Sequence, residues 1–109
     1  MQEIKAIIRS DRLQDVIDGL HRLPDLPGVT VSKVRGFGRR AEGAGTAVFD
    51  QTEFTKLKTV VDDAVVESVV ATILERAGTG GPGDGKIFVM PVLRTIRIRD
   101  GGGASRQRP

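Results

Sequence analysis

Thr79-Gly80-Gly81-Pro82-Gly83-Asp84-Gly85-Lys86 sets four glycines around one proline and ends on a cation. Glycine removes the side chains that keep neighbouring backbone N–H groups apart, so such a stretch can gather several donors around one anion. Lys86 adds a point charge at its end. Arg97 and Arg99 stand two residues apart in Ile96-Arg97-Ile98-Arg99. On a strand they project from one face, and three cations then surround one polyphosphate. The same glycines also suit a flexible helix-to-strand connection, and the arginines a solvated edge, so this pattern alone leaves both readings open.

Several competing chemistries fail on particular residues. Gly80 to Lys86 satisfies G-x-x-x-x-G-K, but Ile87 follows where a P-loop needs Ser or Thr for magnesium, and the stretch leaves a helix and enters a strand. Arg35-Gly36-Phe37-Gly38 opens like the RNP1 motif of an RNA-binding domain. Arg39, Arg40 and Ala41 then stand where stacking aromatics are required, and four Phe with no Tyr or Trp make a poor platform for bases. A small trimeric nucleotide phosphohydrolase remains as the alternative, with Asp84 as the one acidic candidate inside the cradle. His21, the only histidine, ends a helix and takes no role. Asp62 and Asp63 read as caps before a helix, not as an acid/base pair.

The elements that must position these groups follow from periodicity. Ile4, Ala6 and Ile8 alternate as a half-buried strand, and Ser10 or Asp11 with Gln14 starts a helix over about 12–22, with Leu13, Val16, Ile17 and Leu20 on one face. Val29 and Val31 open a second strand that runs to Phe37 and ends at Gly36 and Gly38. Leu57 to Val61 reads as a third strand, and Val66, Val69, Val70 and Ile73 line a second helix ending near Gly78. Ile87 to Val92 is a fourth strand, extended by Thr95 to Arg99. The order predicts an α+β, ferredoxin-like βαββαβ sandwich: an antiparallel sheet with two helices on one face. One domain spans 1–100, followed by a flexible tail over 101–109. Gly38 to Phe54 is left as a loop of about 17 residues, far longer than a hairpin turn.

Composition bounds the partners. The first 93 residues carry 12 Lys/Arg against 13 Asp/Glu, while the last 16 carry five arginines and one aspartate, so the net charge of +3 resides in the C-terminal segment. That is no broad basic face for nucleic acid. With no cysteine there is no disulfide and no thiolate site, and no apolar run reaches the roughly 18 residues of a membrane span. A cytoplasmic protein with no direct membrane insertion is expected.

Three ordered motifs then carry a family resemblance over nearly the whole chain: Val34-Arg35-Gly36-Phe37-Gly38-Arg39, Thr79-Gly80 with Gly83-Asp84-Gly85-Lys86-Ile87-Phe88-Val89, and Ile96-Arg97-Ile98-Arg99. Together they resemble the PII signal-transduction family of nucleotide-sensing regulators. The resemblance implies a regulatory binding protein rather than an enzyme, a homotrimer with ATP, ADP or AMP in each cleft between subunits, and a B-loop over about 79–86. It implies phosphate contacts from Gly83, Asp84, Gly85, Lys86, Arg97 and Arg99, a closing segment of Gly36, Phe37, Gly38 and Arg39, and Thr30 beside the adenine. Nucleotide-dependent changes in a T-loop over about 38–54 would regulate a partner, expected to be a membrane transporter for metal efflux or another substrate. Val48 and Phe49, apolar on an otherwise small and polar loop, suit a partner contact, and Phe49 equally suits packing against a neighbouring subunit. No cofactor is obligatory. Arg40 stands where many members have a glutamine tied to magnesium and 2-oxoglutarate; a guanidinium cannot coordinate a cation, so Arg40 points instead to an anionic second effector. The loop is shortened and lacks tyrosine, so the tyrosine modification of some members has no acceptor here.

Overall fold

Alternation in the first strand sets the core. The computed structural model describes residues 1–24, 26–42 and 46–103; the side chains of 37–42 and 46–51 lie outside that description. Strand β1 (Gln2–Arg9) buries Ile4, Ala6 and Ile8 and turns their neighbours to the opposite face. A single 3-10 turn over Ser10–Arg12 leads into α1 (Leu13–Leu20), followed by β2 (Thr30–Glu42), β3 (Thr46–Val61), a second 3-10 turn (Asp63–Val65), α2 (Val66–Ala77) and β4 (Gly85–Pro91). The four strands are antiparallel in the order β2-β3-β1-β4. This is the expected α+β ferredoxin-like arrangement.

One apolar layer holds it together. Val16 and Leu20 of α1 and Val66, Val69, Ile73 and Ala77 of α2 cover Ile4, Ala6, Ile8, Leu57 and Val61 of the sheet. Each of the Val, Leu and Ile side chains contributes about 1.5–3 kcal/mol on burial. Two threonines are buried within this layer and both are satisfied. The Thr55 hydroxyl bonds the Ser10 hydroxyl at 2.9 Å, and the Thr59 hydroxyl donates to the Gly28 carbonyl at 3.2 Å, fixing the entry to β2. Ser10 is thereby spent on the sheet and does not cap its turn. Asp63 likewise sits within its turn and accepts from the Met1 amino group at 3.0 Å and from Gln2 at 3.4 Å instead of capping α2.

The expected loop from Gly38 to Phe54 is corrected. β2 and β3 continue in register from Thr30↔Lys58 to Glu42↔Thr46, a two-stranded ribbon that outruns β1, whose pairing with β3 stops at Arg9↔Phe54. Gly36 does not terminate the strand. A Cβ there would lie 2.9 Å from the Phe54 ring, so glycine makes room for an aromatic on the neighbouring strand. The Thr95–Arg99 extension is also corrected. Only Ile96 forms a bridge, with Gly103, and the chain between them turns back on itself, with Gly101 N–H donating to the Arg97 carbonyl at 2.7 Å. An alternating Ile-Arg-Ile-Arg pattern makes a strand only beside a partner strand, and Ile98 is fully exposed. Gly101–Gly103 belong to this turn; the rest of the expected tail, 104–109, lies outside the described residues. No helix among the described residues is long and apolar enough to cross a membrane.

Candidate functional site: a glycine-rich turn at the sheet edge

The glycine-rich stretch joins the end of α2 to the start of β4. Gly80, Gly83 and Gly85 hold φ values of 85°, 87° and 102°, a region that side chains strongly disfavour. At Gly85 space is decisive as well: a Cβ would meet the Ile7 carbonyl oxygen at 1.7 Å, so β4 approaches β1 only because this residue has none. Beside the turn runs a groove of about 390 Å³, walled by Val70, Ile73 and Leu74 of α2 and by Gly85, Lys86 and Val89 of β4.

The Asp84 carboxylate faces into its own loop. It accepts from Thr79 N–H at 2.8 Å, from Gly80 N–H at 2.9 Å and from the Thr79 hydroxyl. The Thr79 hydroxyl oxygen in turn accepts from Gly81 N–H at 3.3 Å. These donors, the Thr79 hydroxyl foremost, hold the Asp84 carboxyl below the ordinary aspartate range.

Arg97 is engaged in a similar way. Its guanidinium forms a fork on Asp100, Nε at 3.1 and 3.2 Å and Nη2 at 2.9 Å, and Gly102 N–H donates to the same carboxylate at 2.9 Å. Arg99 is exposed. The sequence reading overlooked Asp100, although Asp100-Gly101-Gly102 directly after the arginines is itself a turn signal.

The remaining expected site residues lie elsewhere. Register runs Thr30↔Lys58↔Lys5↔Phe88 and Ser32↔Lys56↔Ile7↔Lys86 across the sheet. Thr30 and Lys86 therefore share the face not covered by helices but occupy its opposite edge strands, three spacings or about 14 Å apart. Gly36, Phe37, Gly38, Arg39 and Arg40 follow Thr30 along β2, and Val48 and Phe49 pair with Arg40 and Arg39; beyond these backbone positions, the side chains of 37–42 and 46–51 are outside the description. One chain thus brings the expected site together as two half-sites: a β4 edge with Gly83, Asp84, Gly85 and Lys86, and a β2 edge with Thr30 and Gly36.

The family model described as Nitrogen regulatory protein P-II matches residues 1–102. The chain belongs to the P-II family. Among curated P-II relatives, the homolog of Arabidopsis thaliana is 45% identical over 105 residues, covering 91% of this chain and 53% of that protein. The P-II protein of Azospirillum brasilense is 37% identical over 108 residues, and P-II 1 of Escherichia coli K12 is 41% identical over 108, each alignment covering 93% of this chain and 94% of the relative. The chain thus spans about half the length of the plant homolog and nearly all of the bacterial ones. As a P-II protein it is a regulatory protein, and the Asp84 oxygens already accept from donors of their own turn.

Proposed function

We propose that this P-II protein senses adenine nucleotides and transmits their binding state to a partner through the β2–β3 ribbon. One observation carries the reading: the expected nucleotide residues fall into two half-sites on opposite edges of one uncovered sheet face, so the site is completed where the β4 edge of one copy meets the β2 edge of the next. A closed ring of copies, a homotrimer by family resemblance, repeats that junction at every interface. ATP, ADP or AMP binds with its phosphates on the glycine-rich turn, Lys86, Arg97 and Arg99, and its base beside Thr30. No cofactor is needed, and Arg40 offers a site to an anionic second effector.

Signalling in this reading is a population shift without chemistry. The ribbon past Arg9 is supported by two strands alone, so small differences in nucleotide contact at Gly36 to Arg39 bias its conformation and with it the fit of Val48 and Phe49 to a partner. That partner is a membrane transporter, for metal efflux or another solute, which recruits a cytoplasmic regulator to the membrane. Calorimetric titration with ATP, ADP, AMP and cyclic AMP tests the reading. Binding of at least one nucleotide is expected, weakened at least tenfold in Arg97→Ala/Arg99→Ala, since each charge-assisted contact contributes about 1.5–3 kcal/mol. Absence of binding by all four would overturn it.

A further inference from the structure

We propose that Asp84 is a positioning residue that divides the backbone donors of the glycine-rich turn into a committed half and a half kept for ligand, and that its side chain is not itself a phosphate contact. This rests on the nucleotide reading above and sharpens it. A loop with four glycines in eight residues has little intrinsic preference for one shape, so something must select the conformation in which its N–H groups converge. The Asp84 carboxylate does so from within. It gathers Thr79 N–H, Gly80 N–H and the Thr79 hydroxyl, and through that hydroxyl it also engages Gly81 N–H.

The division is sharp along the chain. The first three N–H groups of the turn are satisfied inside it, Pro82 has none to offer, and among the described residues Gly83 and Asp84 N–H have no acceptor within the chain. Gly83 and Gly85, both at positive φ, flank Asp84. An anion arriving at this half of the turn meets Gly83 N–H and Asp84 N–H, with Lys86 two residues on, while the carboxylate of Asp84 is held by the donors of the first half. The resemblance that groups Asp84 with the phosphate contacts is met by its backbone and not by its side chain.

Two measurements on the intact protein separate this inference from the nucleotide reading. In the nucleotide-free protein, amide hydrogen exchange at Thr79, Gly80 and Gly81 should accelerate about tenfold or more in Asp84→Ala, and less in Asp84→Asn, whose amide oxygen still accepts. Thr79→Val should accelerate Gly81 most. The helices should keep their protection in all three variants, because the turn is exposed. In parallel, calorimetry should show ATP affinity falling about tenfold or more in Asp84→Ala while adenosine affinity is unchanged, with Asp84→Asn in between. Unchanged exchange at residues 79–81 in Asp84→Ala overturns the positioning role, whatever happens to affinity. Accelerated exchange with unchanged ATP affinity overturns the division of donors. Should the wild type bind no nucleotide while exchange still responds, the nucleotide reading fails and the ordering role of Asp84 stands.

Discussion

Arg97 has a carboxylate partner of its own, and that changes what its charge is worth to a ligand. Asp100 presents two oxygens to the guanidinium fork, the geometry a phosphate would otherwise occupy. A nucleotide phosphate recruiting the Nε–Nη2 edge of Arg97 must displace Asp100, so Asp100→Asn should tighten ATP binding about two- to fivefold by calorimetry, the scale of an exposed ion pair. An unchanged or weaker affinity would mean that the phosphates do not take this edge of Arg97. The pair is no pH switch near neutrality. Arg97 first, then Gly102 N–H, lowers the Asp100 carboxyl below its unfolded value of about 3.9, so whatever the pair contributes is complete above that pH and is lost only as pH falls through the folded value. The sequence made the cations legible because Lys86, Arg97 and Arg99 are conspicuous by type and spacing. It hid their partners, since whether Asp84 and Asp100 face a ligand or their own loop depends on backbone turns that residue types do not encode.

At the level of elements, both helices and the inner strands β1 and β3 were legible from periodicity, because each buries one face against a single core layer, whereas the edge strands β2 and β4 were legible from their β-branched and apolar runs. The ribbon was not. Gly36 and Gly38 carry the signature of a strand end, and only the ring of Phe54 on the neighbouring strand shows why a glycine is needed mid-strand. Thr46, Val48, Phe49, Thr52 and Phe54 supplied β-branched and aromatic character that could have extended β3 at the sequence level. Gly36→Ala should cost about 1–2 kcal/mol in urea unfolding at fixed protein concentration, and most of that cost should disappear in a Phe54→Ala background. Additive effects in the double mutant would remove the steric explanation.

For the molecule as a whole, the sheet face away from the helices matters most. It presents Lys5 with its ammonium 5.5 Å from the Phe88 ring centroid, Lys58 with Glu3 at 3.8 Å, and Phe88 43% exposed: a mixed apolar and charged surface at the centre of the fold. On the proposed reading this face and the flanking edges meet other copies. Phe88→Asp should therefore shift sedimentation velocity from the assembled species to the single chain with far-UV circular dichroism unchanged, because Phe88 contributes little to the core of one copy. Persistence of the assembly would assign the interface to another surface. The placement of Thr30 and Lys86 on opposite edge strands follows from the strand order, which residue types by themselves do not carry.

The separation of Thr30 and Lys86 on opposite edge strands also has a genetic meaning. On the proposed reading, in which the site forms between copies, two alleles, one defective only along β2 and the other only along β4, would each be null alone. Expressed together at equal dosage and mixed at random, they would leave about a quarter of the junctions with both edges intact. Loss-of-function alleles at the two edges should thus complement one another within a single gene, whereas two alleles on the same edge should not.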